Sequence, residues 1–143
     1  MIPYADLHRE ITTQNFARIP FPVDQERLTP IIEKLFAFMA LPEETKNQFA
    51  FRLIPENRGT EVGYWTRSRA TGALDNRGYF HYNDYADERF RESGKGCPEL
   101  IALLDAVRPL FLDGKQTLQT IVRTMDEQFP GLYDFTFPAD RHP

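Results

Sequence analysis

The chain is poor in the residues that usually announce chemistry: of 143 residues only one is cysteine and three are histidine. Cys97 alone excludes an intrachain disulfide and fits a reducing compartment. Basic charge is also short, with 17 Lys and Arg against 21 Asp and Glu, a net charge of −4 and a pI near 5.4. Nonspecific nucleic-acid binding rests on many basic side chains displacing counterions, so that class is excluded as a partner. No window approaches the ~20 apolar residues of a membrane span, and Met1 to Asp6 carries no basic leader. A cytoplasmic chain without a membrane partner is expected. Ser68 and Ser93 stand in no Gly-x-Ser-x-Gly turn, and Gly94-Lys95-Gly96 lacks P-loop spacing and reads as a flexible joint.

Aromatics, in contrast, are plentiful at 13%, within 41% hydrophobic and 27% charged residues. A disordered chain is excluded, because these rings must be packed somewhere. The length suits a single region, 1–143, able to bury about two-thirds of its unfolded surface.

The clearest periodicity is Leu28, Ile31, Ile32, Leu35, Phe36 and Met39, the spacing that places one apolar stripe on a helix. Asp24 caps that helix with Pro30 in its second turn, or Thr29 caps it with Pro30 at the first position; the earlier start is preferred. Leu41-Pro42 ends it, and Pro42-Glu43-Glu44 opens a short second helix with acid against its positive end. Upstream, Phe16 to Phe21 is expected as an edge strand or extended lead-in, with a short strand near Tyr4. Ile54 to Asp75 has the Gly, Pro and Asn content of a turning loop, in which Gly63-Tyr64-Trp65-Thr66 forms a short strand. Tyr79 to Phe90 crowds aromatics among acids and is expected to lie across another surface. A helix from Pro98 carries Leu100, Leu104, Val107 and Phe111, and a further stripe carries Leu118, Ile121, Val122, Met125 and Phe129. Pro109 makes these two helices or one bent one. Tyr133-Asp134-Phe135-Thr136-Phe137 alternates as a half-buried strand does.

The order of landmarks, a helix with Phe36 and Phe38, then Leu41-Pro42-x-Glu44-x-Lys46, then Gly63-Tyr64 and Tyr79-Phe80-His81, resembles the N-terminal part of the isopenicillin N synthase-like, 2-oxoglutarate/Fe(II)-dependent oxygenases. That resemblance implies an α+β fold, mostly helical with a few short strands, supporting a double-stranded β-helix (jelly roll) expected downstream of 143. It implies a non-haem oxidoreductase, in which Fe(II) and 2-oxoglutarate serve the intact homologue while this chain binds neither. The family's "G-F-F-x-x-x-N-H-G" strand is reduced here to Asn15 to Phe21, without its Asn-His-Gly end.

The family's chemistry needs His-x-Asp/Glu and a distant His on iron, and Arg-x-Ser on the cosubstrate. His81-Tyr82-Asn83-Asp84 has the wrong spacing, since on a strand it sends His81 and Asp84 to opposite faces, and only Pro143 follows His142. An iron site in this chain is rejected; by the resemblance His81 is a structural contact. The residues expected to meet substrate are Tyr64, Trp65, Arg67 and Arg69, beside the barrel mouth, the arginines alternating onto one face to receive an acidic group. The partners expected are a jelly-roll domain, in cis or as a separate chain, and a small-molecule substrate. The alternative is a self-standing helical interaction module docking a protein through Tyr79 to Phe90. The two readings differ over the Leu100 to Phe129 stripes, exposed on one face in the first and covered in the second.

Overall fold

A computed structural model describes residues 6–21, 23–50, 52–54, 60–68 and 74–137. The order of elements is α1 (Leu7–Gln14), α2 (Gln25–Met39), α3 (Glu43–Asn47), β1 (Arg52–Ile54), β2 (Thr60–Ser68), β3 (Leu74–His81), α4 (Asp84–Ser93), α5 (Pro98–Asp126) and α6 (Leu132–Thr136). The fold is mostly helical α+β. It divides into two compact units, Met1–Val23 with Leu112–Pro143, and Asp24–Phe111. No helix among the described residues is long and apolar enough to cross a membrane.

The Asp24–Phe111 unit is built on an antiparallel sheet of order β1-β2-β3. Strand β2 pairs with β1 through Arg52↔Val62 to Ile54↔Thr60, and with β3 through Gly63↔His81 to Thr66↔Gly78 before the register shifts. The turning-loop reading of Ile54 to Asp75 thus missed most of β2, although the short strand at Gly63 to Thr66 lies within it. Glycines and polar residues lowered the local β signal there; pairing with Tyr79 to His81 outweighs it.

Phe38 is fully buried at the centre of the core, with its ring 5.3 Å from Phe80, 6.1 Å from Tyr64 and 6.3 Å from Phe49. Two of these contacts are edge-on, the arrangement aromatic quadrupoles favour. Leu100, Leu103 and Leu104 of α5 complete the cluster, with Leu35, Met39, Phe90 and Val107 packed against it. Asp24 caps α2, its Oδ1 accepting from the Arg27 N–H at 2.9 Å, so the earlier helix start holds with Pro30 inside. The stripe expected to be buried does not face the core as a whole. Leu28, Ile32 and Phe36 are exposed, and Phe38, outside that stripe, is the residue α2 buries most deeply. At 100° per residue the core-facing side is centred between Phe38 and Met39, which leaves Ile32 and Phe36 beyond its Met39 edge, whereas the angle alone does not set Leu28 apart.

Gly94 is buried where α4 turns toward α5, and a Cβ there would come 2.6 Å from both Leu100 Cδ2 and the Phe90 carbonyl oxygen. The expected flexible joint is a packed turn, closed by Gly94 N–H to Phe90 O and Cys97 N–H to Gly94 O, each 2.8 Å. The Pro98 helix runs unbroken through Pro109 to Asp126.

In the other unit, one expectation is corrected and one narrowed. The segment Leu7–Gln14, where no element was expected, is helical, ending at Asn15 with φ 61°, a left-handed conformation Asn tolerates, and Phe16 to Phe21 forms no strand, which leaves the lead-in alternative. The stretch read as a strand at Tyr133 to Phe137 lies mostly within helix α6. Tyr133 and Phe137, four apart, stack at 5.3 Å on one face, and Phe135 between them is 84% exposed. A run this short satisfies both periodicities, and the Tyr133 N–H bond to Asp126 Oδ1 at 2.9 Å favours the helix. The strand expected near Tyr4 falls outside the described residues.

Candidate functional site

Strand β2 carries Tyr64 and Trp65 in succession, so their side chains leave opposite faces of the sheet. Tyr64 goes inward. Its hydroxyl donates to Glu43, 3.0 Å from Oε1, and Lys46 Nζ lies 5.1 Å from its ring centroid. Lys46, only 7% exposed, reaches Glu43 Oε1 at 2.6 Å and donates to the Met39 carbonyl at 3.0 Å. One ammonium therefore satisfies a carbonyl at the end of α2, pairs with the first turn of α3 and covers a ring of β2. This bond to Lys46 is the main cause that holds the Glu43 carboxyl below its ordinary range. The same bond raises Lys46, and burial raises the Tyr64 phenol.

Gly63 is the hinge of this arrangement. Its φ of +107° suits glycine, and a Cβ would stand 2.5 Å from the Phe49 carbonyl oxygen. That close approach lets Tyr64 N–H donate to Phe49 O at 2.7 Å and ties β2 to the segment after α3. The Leu41 to Lys46 string and the Gly63-Tyr64 pair are thus two halves of one contact.

Trp65 goes outward. It is 39% exposed and sits opposite Tyr79 on β3, ring centroids 5.5 Å apart. His81 stands edge-on to both, 6.2 Å from Trp65 and 6.3 Å from Tyr79. The result is a half-open aromatic surface on the side of the sheet away from Phe38. Of the four residues expected to meet substrate, only Trp65 is described there. Tyr64 is a core residue, removed from that set because the pleat turns it inward. Arg67 lies in β2 at the register shift, and Arg69 lies outside the described residues. Sequence reasoning missed Tyr79 as the cross-strand partner of Trp65; the period-2 pattern Tyr79-x-His81 was the available signal.

A second polar cluster joins α4 to α5. Asp87, 2% exposed, accepts from Arg91 Nε at 2.6 Å, from the Tyr82 hydroxyl at 3.0 Å and from Arg108 at 3.2 Å, while Arg91 also reaches Asp105 at 2.7 Å. Burial first, and Asp87 second, push the Tyr82 phenol well above the usual tyrosine range. Phe80, Tyr82 and Phe90 pack against the core, so most of the aromatic segment Tyr79 to Phe90 faces inward. His81 closes β3 and Asp84 opens α4. Among the described residues no three His, Cys, Asp or Glu side chains form a metal-ligating group. His142 lies outside them.

Comparison of the chain with protein-family models, with curated proteins and with solved structures finds no match.

Proposed function

We propose that this chain is the N-terminal supporting portion of a 2-oxoglutarate- and Fe(II)-dependent oxygenase, shaping the substrate mouth for a small organic molecule and not catalytically competent alone. The observation that carries the reading is the meeting of Lys46 with Glu43 and Tyr64, since it joins landmarks 18 or more residues apart in sequence into one contact. One further feature supports it. The Trp65, Tyr79 and His81 surface offers ring faces along the outer side of β2 and β3, suited to packing an apolar or planar part of a substrate. The Leu100 to Phe129 stripes add nothing to it: Leu100, Leu104 and Val122 are buried, and of the stripe residues only Leu118 and Phe129 are exposed. The described residues supply no ligand set for iron, so the reading assigns iron and cosubstrate to a jelly-roll domain and derives no chemical step from this chain.

The test is the gene product in full. The coding sequence is expected to continue past Pro143 with His-x-Asp, a later His and Arg-x-Ser, and the product is expected to form succinate from 2-oxoglutarate in an Fe(II)-dependent way. Trp65→Ala is then expected to raise the KM for the oxidised substrate while leaving that for 2-oxoglutarate unchanged. A coding sequence without those motifs sinks the reading. So does stoichiometric Fe(II) binding by residues 1–143 that His81→Ala abolishes.

A further inference from the structure

The outer side of the sheet carries three rings in a block two strands wide. Trp65 of β2 lies directly opposite Tyr79 of β3, and His81, two residues on along β3, lies opposite Gly63. Glycine adds no side chain, so the fourth position of the block has nothing of its own to fill it. The regular pairing ends at Thr66↔Gly78, which bounds the block on its other side. Trp65 is 39% exposed and Tyr79 and His81 are half-buried, so the rings are held in place and still reachable. The angles between the rings decide what they can hold. Trp65 and Tyr79 are inclined by only 33°, whereas His81 stands at 87° to the first and 80° to the second. Coplanar rings would make a platform for a sugar or a flat ring; rings near right angles make a corner, which a compact, rounded group fills. The three centroids are 5.5, 6.2 and 6.3 Å apart, nearly an equilateral triangle. A cation about 3 Å outside their plane would lie about 4.6 Å from each, within the ~6 Å over which a ring attracts a positive charge.

From this we infer that Trp65, Tyr79 and His81 form a binding corner for the quaternary ammonium group of a small molecule. The negative ring faces attract the charge, and the methyl groups of such an ion displace water from aromatic surface at little desolvation cost, which a strongly hydrated primary ammonium does not. An anion would be repelled by the same faces, and the chain's net charge of −4 favours a cation as well. A neutral group of the same shape keeps the packing and loses the attraction, which makes charge the quantity to test. Assignment to a small molecule, and not to a lipid or peptide carrying the same group, rests on the oxygenase reading; the binding itself requires neither iron nor 2-oxoglutarate.

Trp65 is the chain's single tryptophan, so its fluorescence reports on this corner alone. Choline is titrated into the 143-residue chain at constant ionic strength, beside 3,3-dimethylbutan-1-ol, which puts carbon in place of the charged nitrogen. Saturable quenching by choline is expected, at least about tenfold tighter than any response to the neutral isostere. Tyr79→Leu and, separately, His81→Leu keep apolar bulk and remove a ring, and each should weaken choline about threefold or more with an unchanged circular dichroism spectrum. Absence of saturable quenching by choline overturns the inference, as does equal affinity for the isostere or binding that both ring variants leave intact. Phosphatidylcholine vesicles or a trimethyllysine peptide that bind more tightly than choline, with the same loss in Tyr79→Leu, would give the corner to a lipid or a protein and overturn the small-molecule assignment. Choline binding by a chain whose coding sequence lacks the iron and cosubstrate motifs would remove the oxygenase reading and leave the ammonium corner standing.

Discussion

The two ionic clusters of the Asp24–Phe111 unit are built with opposite polarity. Around Asp87 the buried group is the anion, 3% exposed at the side chain, and its cations Arg91 and Arg108 reach in from positions 28% and 53% exposed. Around Lys46 the buried group is the cation, 9% exposed at the side chain, and its anion Glu43 is 64% exposed. In each case the buried member has lost its water and must recover every contact from protein, whereas the exposed member keeps solvent as an alternative. Stability should therefore depend on which partner is removed and hardly on the number of ion pairs.

The largest effect is expected at Asp87. Asp87→Ala removes the acceptor shared by Tyr82, Arg91 and Arg108, and should cost about 3 kcal/mol in a urea unfolding series. The value sits at the low end for a broken buried pair, because Arg91 keeps Asp105 and Arg108 can turn to water. Asp87→Asn, which keeps an acceptor for Tyr82, should fall between wild type and Asp87→Ala. A cost no greater than that of a surface substitution would break the comparison at once.

The second cluster sharpens it. Lys46→Met keeps the stem that packs on Tyr64 but leaves the Met39 carbonyl without its donor and Glu43 with the Tyr64 hydroxyl alone, and should cost about 1–2 kcal/mol. Glu43→Gln should cost distinctly less, since the amide oxygen can still accept from Lys46 and Tyr64. Equal costs for these two variants, measured as midpoint shifts at constant m-value, would show that burial does not rank the partners.

Much of this architecture was legible in the chain. The stop of α2 at Leu41-Pro42, the Asp24 cap and the acidic start of α3 follow from local chemistry: proline lacks a donor, and a side-chain oxygen fits an orphan N–H. Gly63-Tyr64 as strand was legible too. The function of Lys46 was not, because a lysine in the sequence carries no sign of which carbonyl or ring it will meet; its contacts come from Met39 before it and Tyr64 well after it. The outward Leu28, Ile32 and Phe36 were misplaced for a related reason. Periodicity gives the width of an apolar face and not which part of it the core covers, and here the covered part is turned toward Phe38. For the candidate site, alternation along β2 separates Tyr64 from Trp65, but only the register with β3 identifies Tyr79 and His81 as the neighbours of Trp65.

The smallest effect is one that appears only at high pH. Burial, and then the hydrogen bond to Asp87, hold the Tyr82 phenol above its unfolded value, which is about 10. Below that pH both states keep the proton and the full stabilisation is present. Above it the unfolded chain releases the proton while the native one retains it, so stability falls as pH rises toward the folded value. One such group limits the slope to about 1.4 kcal/mol per pH unit, and partial exposure reduces it further. Tyr64, raised by burial, and Lys46, raised by its bond to Glu43, lose stability over the same alkaline range. Tyr82→Phe should therefore flatten the decline in urea midpoint between about pH 9 and 11 without abolishing it, and Lys46→Met should flatten what remains. If Tyr82→Phe leaves the alkaline slope untouched, the phenol is not held by Asp87 in solution, and the α4 to α5 cluster is looser than the distances around Asp87 require.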